Sequence, residues 1–132
     1  MPLCGNCFHE YNAAGPCPVC GYDGSGDAKR HPQALRPGTI LNGRYTVGRV
    51  LGQGGFGITY LALDEPSKER VAIKEYYPTE LAGRTTDGRT VAIHSEERGE
   101  DFLFGKSQFL GEAMTLAAVS GSRNIVRIYS YF

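Results

Sequence analysis

The feature that most constrains this chain is a doubled motif, Cys4-x-x-Cys7 and Cys17-x-x-Cys20, whose two halves are separated by nine residues. Two residues between thiolates let a tight turn aim both sulfurs at one ion about 2.3 Å away, and a second such turn completes a tetrahedron. The nine-residue spacer is shorter than the roughly 15–20 residues of the commonest four-cysteine arrangement, so the unit is a minimal one. Disulfides or a tetrahedral iron site would use the same residues. Zinc is the expected occupant, because the chain opens without the basic and apolar regions of a secretory signal and so reads as cytoplasmic, where thiols stay reduced. A closed four-thiolate site has no open coordination position, which makes its role structural or adhesive. Gly21, directly after Cys20, frees the backbone to turn its N–H groups toward sulfur, and His9 reads as a surface residue.

Over residues 3–22 this pattern resembles a zinc ribbon, and composition then divides the chain into 1–22, 23–37 and 38–132. The middle part, Asp23 to Pro37, is small, charged and punctuated by proline with no periodicity, which reads as a flexible linker. Lys and Arg number 14, as do Asp and Glu, and this neutral balance argues against nucleic acid as a partner. No run reaches the roughly 18 apolar residues of a membrane span.

In the third part, Tyr45 to Leu51 alternates and reads as a strand running into the glycine-rich Gly52-Gln53-Gly54-Gly55-Phe56-Gly57. Ile58 to Leu63 reads as a second strand and Arg70 to Tyr76 as a third, stopped by Pro78. Because β-branched residues rather than a helix follow the glycines, the dinucleotide fingerprint does not fit, and a phosphate-covering loop between two strands does. Gly105-Lys106-Ser107 ends like a P-loop, but its earlier glycine is misplaced and Glu100-Asp101 would repel phosphate. In Val71-Ala72-Ile73-Lys74, alternation puts Ala72 and Lys74 on one face and Val71 and Ile73 on the other. Residues 106–119 read as a helix ended by Gly121, with Phe109, Leu110, Ala113, Leu116 and Ala117 on one face and Glu112 at its edge. Glu112 is the candidate carboxylate to hold Lys74. Glu75, opposite Lys74, reads as structural, and His94 as a loop residue. Residues 79–101 yield only a short strand at Val91 to Ile93, and Asn124 to Phe132 reads as a further strand.

The ordered set Leu51-Gly52-Gln53-Gly54-Gly55-Phe56-Gly57-Ile58-Thr59, Val71-Ala72-Ile73-Lys74 and Phe109-Leu110-x-Glu112-Ala113 resembles the N-terminal lobe of a bacterial serine/threonine protein kinase. The fold expected is α+β: a four-cysteine zinc ribbon followed by a kinase-like N-lobe of antiparallel sheet plus one helix, truncated before the C-lobe. The resemblance implies that residues 52–57 cover the phosphates of ATP, that Lys74 contacts the α and β phosphates, and that Glu112 pairs with Lys74. It also implies that Leu51 and Ala72 line the adenine pocket, where Thr59 replaces the usual valine. The 132 residues contain neither the HRD nor the DFG motif, so Mg2+ is expected only with a C-lobe, and so is a protein substrate. By itself the chain is expected to be inactive. The alternative is a non-catalytic zinc-ribbon interaction protein, recruiting a protein partner, with a degenerate half-domain.

Overall fold

The structure, a computed structural model, describes residues 3–12, 15–24, 29–55, 57–87 and 89–118, with side chains as far as Gly111. Four antiparallel strands form a sheet in sequential order: β1 (Ile40–Leu41), β2 (Tyr45–Gln53), β3 (Gly57–Asp64) and β4 (Glu69–Tyr76). Asn42 and Gly43 turn β1 into β2 with φ of 53° and 61°, the left-handed pair that a two-residue hairpin favours. The β3–β4 register runs unbroken from Gly57 opposite Tyr76 to Asp64 opposite Glu69.

β3 shows why this sheet has one inner face. Ile58, Tyr60, Ala62 and Asp64 are buried and alternate with half-buried Gly57, Thr59, Leu61 and Leu63, the period-two pattern of a strand packed on one side. Ile58 and Tyr60 meet Val47, Tyr77 and Leu35 in the core, with Ala34, Leu41, Val50 and Val91 around it. Asp64 is the buried acid of the set. The Arg44 guanidinium donates to its carboxylate from Nε at 2.7 Å and Nη2 at 2.9 Å, which holds its pKa below the usual carboxylate range.

Within the stretch expected to be a flexible linker, Leu35 packs on the sheet. It is 4% exposed, and its N–H donates to the Tyr60 hydroxyl at 3.0 Å. Burial of one leucine, together with the Gln33 carbonyl accepting from Arg84 Nε at 2.9 Å, fastens the second half of that stretch to the sheet. Burial stabilises a Leu side chain by about 1.5–3 kcal/mol.

After β4 the polar stretch forms a second, two-stranded sheet, β5 (Ala82–Arg84) with β6 (Val91–Ile93), Ala82 opposite Ile93. A 3-10 turn at Glu96–Arg98 leads into α1 (Gly99–Ala118). The helix therefore begins seven residues before the expected start at 106, with Glu100 and Asp101 in its first turn, where acids complement the helix dipole. Its early turns dock on Tyr76. That ring lies 5.2 Å from Phe102 and 5.5 Å from Phe109, and its hydroxyl donates to the Phe102 carbonyl at 2.9 Å. Gly105 is the notch for this contact, since a Cβ there would fall 2.4 Å from the Tyr76 hydroxyl. The expected Gly121 cap and the strand over Asn124 to Phe132 lie outside the described residues.

Candidate metal centre and glycine-loop face

Cys4, Cys7, Cys17 and Cys20 converge, with all four sulfurs within 4.8 Å of one another. Cys4 Sγ stands 3.6 Å from Cys20 Sγ, and Cys7 Sγ 3.7 Å from Cys17 Sγ. A disulfide would require about 2.05 Å. A tetrahedron with bonds of about 2.3 Å puts its corners about 3.8 Å apart, so the spacing suits one ion such as zinc.

The two turns are near copies. In the first, Cys4 N–H donates to the His9 carbonyl at 2.9 Å and Phe8 N–H to the Cys4 carbonyl at 2.9 Å. In the second, Cys17 N–H donates to the Tyr22 carbonyl at 2.9 Å and Gly21 N–H to the Cys17 carbonyl at 2.8 Å. Each also aims a backbone N–H at its first sulfur, Asn6 at Cys4 and Val19 at Cys17, both at 3.4 Å. The residue after each second cysteine is left-handed, Gly21 at φ 80° and Phe8 at φ 61°; only glycine adopts this without cost. The backbone N–H of Tyr22 and the Asn6 side chain lower the Cys20 pKa to about 6, favouring the thiolate that a metal needs. His9 is exposed.

On the sheet, Lys74 pairs with Thr59 and Ala72 with Leu61, so these four share the face opposite the core. Ala72 and Lys74 are exposed and Val71 and Ile73 half-buried, as alternation requires. The Lys74 ammonium stands 5.4 Å from the Phe109 ring centroid, within cation–π range. Glu112 falls in α1 one turn beyond Phe109, and its side chain lies outside the described residues, as does Phe56. Glu75 points the other way and is structural: its carboxylate accepts from Arg84 Nη1 and Nη2, each at 2.8 Å, and from Tyr60 at 2.7 Å. Burial foremost, with Glu75 beside it, pushes the Tyr60 pKa up, so its hydroxyl stays protonated and donates.

The glycines between β2 and β3 divide into two kinds. A Cβ on Gly57 would lie 2.5 Å from the Glu75 carbonyl oxygen, so the close approach of β3 to β4 requires glycine there. Gly52, Gly54 and Gly55 are not left-handed, and a Cβ on any of them would meet no described atom within 4 Å. Packing and backbone conformation do not account for those three. Gly57→Ala should accordingly cost about 1–3 kcal/mol by overpacking, while Gly54→Ala stays within about 0.5 kcal/mol, as read by chemical denaturation. Gln53 Oε1 accepts from His31 Nδ1 at 2.9 Å. Leu51 is exposed and, with Asn6, Tyr22, Arg49 and Val50, borders a hollow of about 530 Å³ between β2 and the second cysteine turn.

Sequence reasoning missed Asn6 and Arg49, which join the two sites. Arg49 N–H donates to the Gly5 carbonyl at 2.7 Å, and Arg49 Nε to Asn6 Oδ1 at 2.8 Å.

Similarities to known proteins cover part of the chain. No family model matches the chain. Serine/threonine-protein kinase F of Synechocystis sp. is 42% identical over 53 residues, 39% of this chain and 11% of that protein. Calcium-dependent protein kinase 15 of Oryza sativa subsp. japonica is 45% identical over 47 residues, 36% of this chain and 9% of that protein. A solved structure, "PpkA-294 apo form", superposes with a TM-score of 0.63 at 38% identity, covering 67% of this chain and 31% of that one. The chain thus spans about a tenth of the length of these curated kinases. No helix among the described residues is long and apolar enough to cross a membrane. The chain resembles a serine/threonine kinase in its N-lobe sheet and helix, and carries in front of them four cysteines set at metal-binding distance.

Proposed function

We propose that residues 38–132 are the ATP-binding N-terminal portion of a serine/threonine protein kinase, preceded by a zinc-held cysteine module. The observation that carries this reading is the open loop of Gly52, Gly54 and Gly55 beside a strand that presents Lys74. Bare backbone with no packing reason to be glycine can come within hydrogen-bonding distance of phosphate oxygens. Lys74, on the face opposite the core, supplies the positive charge for the α and β phosphates. Ala72 leaves room on the same face for a base, with Thr59 and Leu61 as its floor. Glu112, one turn beyond Phe109 on α1, is the partner that would hold the lysine stem.

Phosphoryl transfer to protein hydroxyls further requires a catalytic base and Mg2+ ligands of the HRD and DFG kind. The 132 residues contain neither motif, so within them the function is nucleotide binding without transfer. A fluorescent ATP analogue titrated into the zinc-loaded chain should bind saturably. Lys74→Met removes a charge-assisted contact worth about 1.5–3 kcal/mol and should weaken binding roughly tenfold or more, and Gly54→Val should do so by filling the loop. Absence of saturable binding, or equal binding by all three proteins, would contradict the reading.

A further inference from the structure

β2 does not run evenly along β3. Val47 lies opposite Ala62, Val50 opposite Tyr60 and Gly52 opposite Thr59, so β2 carries one extra residue in each of two consecutive steps. Such bulges leave backbone groups outside the ladder and re-aim side chains. Gly48 and Arg49 fall in the first step and Leu51 in the second, immediately before the glycine loop. β1 reaches only as far as Thr46 on β2, and beyond Val47 the neighbouring backbone is the first cysteine turn.

That turn fits the bulge closely. The Gly5 carbonyl accepts from Arg49 N–H at 2.7 Å. Gly48 admits it, because a Cβ there would lie 2.4 Å from the Gly5 oxygen and 2.9 Å from the Phe8 ring. Asn6 then spans the junction, its Oδ1 accepting from Arg49 Nε at 2.8 Å and its Nδ2 donating to Cys20 Sγ at 3.6 Å. Gly5 and Asn6 are the two residues between Cys4 and Cys7. The geometry that lets those cysteines share an ion is the geometry that presents the Gly5 carbonyl and the Asn6 amide to β2.

We propose that Asn6 and Arg49 are positioning residues that couple metal occupancy of the four-cysteine centre to the conformation of the glycine loop, and so to nucleotide affinity. The affinity part rests on the nucleotide-binding reading above; the coupling to the loop does not. A turn of this size has no stable fold without its ion, so metal loss removes the partner of the Arg49 N–H and frees the bulge two residues before Leu51 and Gly52. Coupling of this kind is reciprocal: nucleotide at the loop tightens metal binding by the same factor that metal tightens nucleotide.

Residue-resolved amide exchange on the full chain, zinc-loaded and zinc-stripped, tests this. Arg49 to Gln53 should exchange about tenfold faster or more without zinc, while Tyr60 and Ile73 in β3 and β4 change by less than about twofold. Asn6→Ala keeps all four thiols and the backbone N–H at residue 6; it should still bind one zinc per chain yet accelerate exchange at the same β2 residues. Affinity for the ATP analogue should fall about fivefold or more on stripping. Unchanged exchange at Arg49 to Gln53, or acceleration spread equally over β3 and β4, would overturn the coupling. The expected exchange pattern with no nucleotide bound in either state would uphold the coupling to the loop and sink the nucleotide reading instead.

Discussion

Cys17→Ala should abolish stoichiometric metal binding and unfold residues 3–24 as a unit. Cys17 is buried, its sulfur lies 3.7 Å from that of Cys7, and two backbone N–H groups of its own turn, those of Val19 and Cys20, favour its thiolate. With so few residues, the module has almost no apolar interior of its own beyond the cysteines. Its folding free energy is then the metal-binding free energy, about 10–16 kcal/mol in apparent terms for structural zinc sites of this kind. Cobalt substitution gives the readout, because four thiolates around Co2+ produce an intense sulfur-to-metal charge-transfer band. The wild type should show that band at one equivalent, and Cys17→Ala should lose it together with the amide protection of Cys4, Phe8 and Gly21. Retention of one tightly held ion per chain by the variant would remove the four-thiolate assignment.

Glu75→Ala should be the most damaging single change in the sheet. The Arg84 side chain is 7% exposed and that of Glu75 18%, and the pair is surrounded by the Tyr60 hydroxyl, the Gln33 carbonyl and the Tyr77 ring, whose centroid is 4.8 Å from the guanidinium. Removing the carboxylate leaves a buried cation unmatched, at a cost of about 3–5 kcal/mol. Against a total stability of about 5–15 kcal/mol for a domain, that is a large share. The same change frees Tyr60 and thereby Leu35, so the segment before β1 should loosen too. By contrast Lys68→Ala breaks an ion pair whose partners are 71% and 37% exposed and should move stability by no more than about 1 kcal/mol. Urea denaturation of the two variants checks the contrast. Equal effects would mean that the Glu75–Arg84 pair is no more embedded than a surface bridge.

Those two predictions rest on features of unequal legibility. The cysteine centre was readable because its signal is purely local: spacing and a glycine after the second pair dictate a turn, and a turn dictates convergence. Strands β2 to β4 were readable because alternation of β-branched and polar residues needs no knowledge of partners. The reading of Glu75 as structural also held, because side-chain alternation alone sends it away from Lys74. The burial of Leu35 was not legible because one leucine among prolines and charges has no period; only Tyr60, 25 residues later, explains it. Asn42-Gly43 carried an unused hairpin signal that would have located β1. The early turns of α1 were missed because the apolar face that marks the helix begins only at Phe109; the missing Cβ of Gly105 is what lets α1 pass over Tyr76. Asn6 and Arg49 could not be found from sequence, since their pairing depends on a bulge in β2 and on a turn 43 residues away. The nucleotide-site roles remain expectations of the sequence, and Phe56, the Glu112 side chain and the strand over Asn124 to Phe132 lie outside the described residues.

The central claim, that the glycine loop and Lys74 form one face for nucleotide, is tested most directly by amide and lysine-side-chain NMR shifts of the zinc-loaded chain during an ATP titration. The account predicts saturable shifts concentrated at Gly52, Gly54, Gly55, Gly57, Thr59, Ala72 and Lys74, with Val47, Ile58 and Tyr77 in the core unmoved. Shifts scattered over the surface without saturation, or confined to the cysteine module, would contradict it.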